Sequence, residues 1–138
     1  MISNELIQSA LISKANGDTV IVASPLVSGS VREFNFQGTD FSYPAVRLQI
    51  ESQIDVADTN VHCPSQVDFS WYVFSEKASS LEANSIAGRL VSELRGLSFS
   101  QNNIKFVKIR VLENIPAIRE DERTWRAQVR CQSVVHQD

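Results

Sequence analysis

Apolar and polar residues alternate along this chain in two periods that take turns. Near the N-terminus, Leu6, Ile7, Ala10 and Leu11 recur at the three-and-four spacing of one helical face. Ser3 or Asn4 stands where a cap accepts the first free backbone N–H groups, and Gly17 stands where a helix stops, so the pattern predicts a helix over 3–16. Residues 18–44 are less regular. Val20, Ile21 and Val22 read equally as a helical turn or a strand, and Pro25, Gly29 and Gly38 break the pattern repeatedly. A short strand is placed over Val31 to Phe36. From Ala45 to Ile54 the period drops to two, with Val46, Leu48, Ile50 and Ile54 on one side and Arg47, Gln49, Glu51 and Gln53 on the other. Val67, Phe69, Trp71 and Val73 repeat that pattern over 67–75, with Tyr72 and Phe74 unusually bulky on the opposite side. The helical period then returns. Ala83, Ala87, Leu90, Val91 and Leu94 mark the buried stripe of a helix over 79–95, with Ser79 and Glu82 spaced as a capping box and Gly96 at its end. Two more alternating segments close the chain. Val107, Ile109 and Val111 face one way over 104–113, and Trp125, Ala127, Val129 and Cys131 face inward over 124–135, with Arg126, Gln128, Arg130 and Gln132 outward.

Four alternating strands make one apolar face, which two amphipathic helices must cover. The expected fold is α+β: a two-layer sandwich with a mostly antiparallel sheet of four to five strands, covered on one face by two helices, in a single domain over 1–138. The strand pairs are joined by loops at 55–66 and 113–123, each about a dozen residues and so longer than the usual hairpin turn. At 138 residues, with 43% hydrophobic and 21% charged residues, the chain has the make-up of one soluble globular domain. Its net charge of -3 offers no overall attraction for nucleic acid or an anionic membrane. No apolar run approaches the roughly 20 residues that span a bilayer, and the start Met-Ile-Ser-Asn-Glu-Leu is not that of a secretory signal. Cys63 and Cys131 make no disulfide framework, which points to a reducing cytoplasm.

Candidate chemistry is thin. His62, Cys63, Cys131 and His136 are zinc-ligand types, but adjacent His62 and Cys63 point apart and no short-spaced ligand pair occurs. Neither histidine has an evident orienting carboxylate for a Cys63 nucleophile. Asp55, Asp58 and Asn60 lack the glycine and closing glutamate of a calcium loop. Arg119, Glu120, Asp121, Glu122 and Arg123 mix signs in a loop, as a solvated or subunit-contacting segment does. The five glycines fit no phosphate cradle, and no G-x-S-x-G elbow occurs. No catalytic residue, cofactor or metal is therefore expected. One electrostatic feature survives: Arg47, Lys108, Arg110, Arg126 and Arg130 lie outward against only Glu51 and Asp68. Tyr72, Phe74, Phe106 and Leu112 share that face, and arginine with aromatic residues is the composition of interfaces. The same pattern also reads as a solvated sheet face.

The candidate contact residues are Ile115, Pro116, Ile118, Arg119, Asp121 and Arg123 in the second loop, Asp55 and Asp58 in the first, and Tyr72, Phe74, Arg110 and Arg126 on the outward face. Ile115, Pro116, Ala117 and Ile118 place apolar weight in a loop, which solvent exposure alone does not favour. Two other classes stand beside an assembly role. A ligand-binding or enzymatic domain would need a pocket, with Trp71, Tyr72 and Trp125 as lining, or His62, Cys63 and Glu113 brought together. A nucleic-acid binder would use the basic face.

An N-terminal helix, a Tyr-Pro-led strand (Phe41-Ser42-Tyr43-Pro44-Ala45-Val46-Arg47-Leu48), a second strand ending in Val73-Phe74-Ser75, a helix with small residues from Glu82 to Leu94 and a closing strand pair succeed one another in that order. In this the chain resembles the small tail-terminator and tail-completion proteins of long-tailed bacteriophages, with related head–tail neck components. The resemblance implies a protomer that forms a ring, a hexamer, which caps the tail tube, ends its polymerisation and docks the head–tail connector. A neck stopper or connector is the alternative within the same class. The implied partners are copies of the chain itself, the tail tube protein and the neck proteins, with DNA passing through the channel without sequence-specific binding. The resemblance implies a place in the virion after assembly in the host cytoplasm, and no cofactor, catalysis or membrane contact. Ring closure needs a heterologous interface, for which the two loops are the reaching elements and edge strands pairing between subunits would extend the sheet.

Overall fold

The computed structural model describes residues 2–26, 29–34, 43–56 and 64–137. The chain forms helix α1 (Asn4–Asn16), strands β1 (Val31–Glu33), β2 (Ala45–Asp55) and β3 (Ser65–Ser75), helix α2 (Leu81–Leu94), and strands β4 (Phe99–Gln101), β5 (Ile104–Arg119) and β6 (Trp125–Gln137). The strands make one sheet in the order β1-β2-β3-β6-β5-β4. The α+β class holds, with two corrections. The sheet has six strands rather than four or five, and it is mixed, because β1 runs parallel to β2. β1 is the short strand expected over 31–36, formed as Val31–Glu33, with 35–36 outside the described residues; β4, three residues long and too short to show a period, is the strand not expected. The turn before β5 did leave a trace: Asn102 and Asn103 both hold positive φ, at 54° and 63°, as a two-residue hairpin loop requires.

Helix α1 begins as its sequence dictates. The Ser3 hydroxyl accepts the Glu5 N–H at 3.2 Å, and Ile7, Ala10, Leu11 and Ala15 are buried. Leu6 is not part of the stripe and is 51% exposed. Helix α2 buries Ala83, Ile86, Ala87, Leu90 and Leu94, with Val91 at the margin. Its capping box does not form. The Glu82 carboxylate instead accepts the buried Ser75 hydroxyl at 2.8 Å, tying the helix start to the end of β3. Gly96, at φ 73°, ends α2 and turns its N–H onto the Ile109 carbonyl at 2.8 Å.

The sheet curls. α1 packs on β1 and β2 at one border and also reaches β4 at the other, where the Lys14 ammonium sits 5.4 Å over the Phe99 ring. α2 lies on β3, β5 and β6. The two helices share one core, in which Phe69, Trp71 and Phe106 are fully sealed. The origin of the curl is in β5. Its 16 residues pair with the 13 of β6, from Ile104↔Gln137 to Arg119↔Trp125, so three residues are surplus. They are taken up singly between Val107 and Arg110, between Val111 and Glu113, and between Ile115 and Ile118. Each such bulge bends the strand and deepens its twist.

Bulges also overturn the strict alternation expected from the sequence. In β5, Phe106 and Ile109 turn inward while Val107 is exposed, and Lys108 between them holds a φ of 38°. In β2 an extra residue between Ile50 and Ser52 sends Ile54 outward, 57% exposed, and Gln53 inward. There the Gln53 amide donates to the Ile2 carbonyl at 2.6 Å. The expected loop at 113–123 is strand as far as Arg119, closed by a short turn in which Asp121 Oδ1 accepts the Arg123 and Thr124 N–H groups, both at 2.8 Å. At the other end, β2 stops at Asp55 and β3 starts at Ser65; the expected loop 55–66 falls mostly outside the described residues.

Two asparagines occupy strand borders. The Asn16 side chain donates to the Val31 carbonyl at 3.0 Å and accepts from the Val31 and Gly29 N–H groups at 3.2 and 3.1 Å. An amide that both donates to and accepts from one residue imitates a neighbouring strand. At the opposite border Asn84 Oδ1 accepts the Ala117 N–H at 2.8 Å. These positions are satisfied within the protomer, so they do not serve the edge pairing between subunits expected from the sequence.

The stretch 18–26 is folded as turns with Ile21 buried and Val20 exposed. Asp18 Oδ1 accepts the Val20 and Ile21 N–H groups, and the Arg89 guanidinium forks onto the carbonyls of Ala23 and Ser24 at 2.7 and 2.8 Å. This arrangement sets Asp18 against Glu93. Repulsion from Asp18 is the first cause holding the Glu93 carboxyl above its ordinary 4.5; burial and a hydrogen bond to Asp18 add to it, and Lys14 opposes it.

Two outcomes are expected for stability. Asn16→Ala leaves the Val31 backbone unpaired and is expected to cost about 2 kcal/mol in urea unfolding, with Asn16→Asp, which keeps only the acceptor, intermediate. A carboxyl with a raised folded-state pKa contributes stability that is complete below its unfolded value and is lost as pH rises through the folded value. Glu93→Gln is therefore expected to melt above the wild type at pH 7, with the gap closing as pH falls toward 4.5 and below; a constant gap across that range contradicts the charge repulsion.

Candidate assembly surface

The outer face of the sheet, away from the helices, is built from cross-strand rows fixed by register. One row runs Ala45, Phe74, Arg126 and Ile118, and the next Arg47, Tyr72, Gln128 and Ile115. Then come Gln49, Ser70, Arg130 and Glu113, and beyond them Ser52, Asp68, Gln132 and Arg110. Five of the residues singled out in the sequence (Tyr72, Phe74, Ile115, Ile118 and Arg126) thus gather at one end of this face. Ile118 is 54% exposed there. The Arg126 guanidinium lies 5.5 Å over the Tyr72 ring, and Phe34 packs on the same ring with centroids 5.0 Å apart.

Arg119, Asp121 and Arg123 form the adjoining turn. The Arg119 guanidinium sits 5.5 Å over the Trp125 ring and donates to the Glu122 carbonyl at 2.7 Å. Asp121 shapes the turn, and the N–H of Arg123 is the main cause holding its carboxyl below the usual range. Pro116 lies exposed in the third bulge of β5. Arg110 stands apart in the middle of the face, Asp55 at the far end of β2, and Asp58 outside the described residues.

The face is not basic, as the sequence pattern suggested. Arg126 pairs with Glu120 at 3.2 Å, and Arg130 pairs with Glu113 at 2.5 Å and reaches Glu51 at 3.9 Å. The hydrogen bond that Arg130 donates to Glu113, with the charges of Glu51 and Glu113, pushes the Arg130 guanidinium further up. Ser70, fully buried, donates to Glu51 and accepts from Gln128, while Gln132 donates to Asp68 at 2.9 Å. Arg47 faces outward yet is 4% exposed. Its Nη1 donates to the carbonyls of Ser30 and Val46 at 3.1 and 3.0 Å, and burial, then the charge of Arg32, lowers its pKa. Phe106, expected on this face, is in the core. Among the described residues, unneutralised cations lie instead along the outer flank of β5: Lys105, Lys108, Arg110 and, placed beside Ile109 by Gly96, Arg95. Arg95 and Lys105 carry no pattern of their own in the sequence; only the fold of 94–98 onto β5 assembles this group.

The residues weighed for other chemistry do not converge. Trp71 is sealed in the core, Tyr72 is on the opposite face and Trp125 is half-buried at the turn, so the three line no common pocket. Burial pushes the Cys131 thiol up to about 12, and Cys131 and His136 sit on opposite faces of β6. Among the described residues no three His, Cys, Asp or Glu side chains come together; His62 and Cys63 lie outside them. Among the described residues no helix is long and apolar enough to cross a membrane. A cleft of about 330 Å³ opens between α1 and β1–β2, with Gln8, Glu33, Phe34 and Gln49 in its wall. Gln8 Nε2 donates to Glu33 Oε2 at 2.6 Å inside it.

No family model matches this sequence, and no curated protein matches it. Solved structures do. A chain of the virion of a native gene transfer agent particle superposes with a TM-score of 0.76 at 21% identity, over 97% of this chain and 99% of that one. A second solved chain matches with a TM-score of 0.61 at 17% identity, over 100% and 97%. At these identities the fold is what is shared.

Proposed function

We propose that the protein is a structural component of a phage-like particle, a ring-forming adaptor of the tail-terminator kind. The observation that carries this reading is the likeness of the fold to a virion chain, with 97% and 99% of the two chains aligned. The surface supports it. Tyr72, Phe74, Ile115 and Ile118 place aromatic and aliphatic area beside a self-neutralised polar field, the mix on which protein contacts are built. On this reading the work is mechanical, and the side chains carry no covalent chemistry. Copies close into a hexamer around a channel for DNA, the ring seats on the last layer of the tail tube and stops its growth, and the opposite rim receives the neck. The outer-face end around Ile118 meets the tube or neck protein, with the turn 120–124 beside it.

Particles assembled without the protein test this reading by electron microscopy. Tails of runaway length are expected. Finished tails beside unattached heads would move the role to the neck stopper or connector, and normal particles would overturn an assembly role. Ile118→Asp places a charge in the apolar end of the face. It is expected to cut recovery of the protein in purified particles about tenfold, the scale of a central interface side chain, while shifting stability by no more than about 0.5 kcal/mol.

A further inference from the structure

From Arg95 to Leu112 the chain carries four cations, Arg95, Lys105, Lys108 and Arg110, and no carboxylate. The fold keeps this stretch together: Gly96 and Leu97 bond to Ile109, and β4 pairs with the start of β5. Strict alternation would divide the cations of β5, since Lys105 and Lys108 differ in parity. The surplus residue between Val107 and Arg110 removes that conflict. Phe106 and Ile109 turn inward, and Lys105, Lys108 and Arg110 come to the outer flank. Their β6 neighbours His136 and Gln132 are four residues apart, so Lys105 and Arg110 stand about 13 Å apart along the strand. Lys108 holds its φ of 38° in the left-handed region that glycine or asparagine takes more readily, and Ser98 Oγ accepts its N–H at 2.8 Å. Its side chain therefore projects from a fixed backbone. Among the described residues no carboxylate pairs with any of the four cations, and Arg110 reaches the neutral Gln132 at 3.4 Å. The bordering carboxylates are engaged elsewhere: Asp68 by Ser52 and Gln132, Glu113 by Arg130, and Glu93 by Asp18.

We infer that this flank binds the phosphate backbone of duplex DNA; this deepens the adaptor reading and rests on it for the source of the DNA. Lysine and arginine offer donors alone, and a phosphate backbone presents acceptors alone. An acidic protein surface presents donors among its carboxylates, and four cations with no carboxylate beside them leave those donors unanswered. DNA advances about 3.4 Å per nucleotide on each strand, so the row from Lys105 to Arg110 covers about four phosphates. Ser100, Asn102 and Asn103, exposed at the β4–β5 turn, add neutral donors of the kind that hold phosphate and sugar. Contacts of this kind carry no sequence information. The cations lie in the first half of β5, with Ile115 and Ile118 in the second, so the DNA contact and the protein contact proposed above do not compete.

The test uses the full chain and a mixed-sequence DNA duplex, with binding read by fluorescence anisotropy across a salt series. The logarithm of the affinity is expected to fall against the logarithm of salt with a slope of about −3 to −4, the counterion release of three to four phosphates. Lys108→Gln with Arg110→Gln is expected to weaken binding about tenfold at low salt and to flatten the slope by about two. Arg32→Gln with Lys77→Gln removes the same charge elsewhere and is expected to change the affinity about twofold at most. Thermal melts confirm that both variants are folded. Equal losses in the two variants, no loss in the first, or a wild type that binds no duplex at low salt each overturn the contact and leave the adaptor reading standing. Polyglutamate bound as tightly as the duplex, and released by the first variant, assigns the flank to an acidic protein and also overturns the contact. Particles that form normally without the protein overturn the adaptor reading, and with it the particle's DNA as the partner, whatever the isolated chain binds.

Discussion

Sixteen residues of β5 are held opposite thirteen of β6, and much of the molecule depends on that mismatch. A regular ladder has no place for the surplus, so the strand buckles three times along its length. The bending carries one border of the sheet round toward the other until α1 can touch β1 and β4 together. Without the curl, Lys14 would have no Phe99 to cover and the two helices would rest on separate apolar patches rather than one core. The buckling also decides the surface. It turns Phe106 and Ile109 inward and leaves Val107, Lys108 and Leu112 facing out on the β5 flank.

The parts of this arrangement that were legible in the sequence are those where one period runs unbroken. β3 and β6 alternate over their whole length, and Phe69, Trp71, Val73, Ala127, Val129 and Cys131 are all buried as the pattern requires. The helices are similarly clear, because Ile7, Ala10 and Leu11, and Ala83, Ala87 and Leu90, each fall on one stripe. The pattern fails where an extra residue shifts its phase. Ile54 and Phe106 are both assigned to the wrong face for that reason, since alternation cannot register an insertion that only the partner strand defines. The strand residues 114–119 read as loop because Pro116 and a charged run accompany an apolar cluster, and only pairing with β6 shows them extended. Glu82 has the right spacing for a capping box but is taken by Ser75, seven residues earlier and on another element.

The candidate surface was half visible. Tyr72, Phe74, Ile115, Ile118 and Arg126 were singled out from different segments, and the register of three strands brings them together. The sign of the face was misread because counting charges ignores their partners. Arg126 and Arg130 are neutralised by Glu120 and Glu113, residues the sequence leaves in a loop, and Arg47 is covered. The unpaired cations of the β5 flank come from two elements joined by the fold of 94–98 onto β5. Charge position of this kind belongs to tertiary structure.

The amide of Asn16 holds the N–H and carbonyl of Val31, the first residue of β1, on the side where another strand would lie. An open sheet border is a template for another chain, and sheets that join border to border grow into fibres. A side chain that occupies the pairing groups of a border residue obstructs that route at the cost of one residue. The residue that supplies this protection is the last of α1, so the helix that covers the core also guards the border.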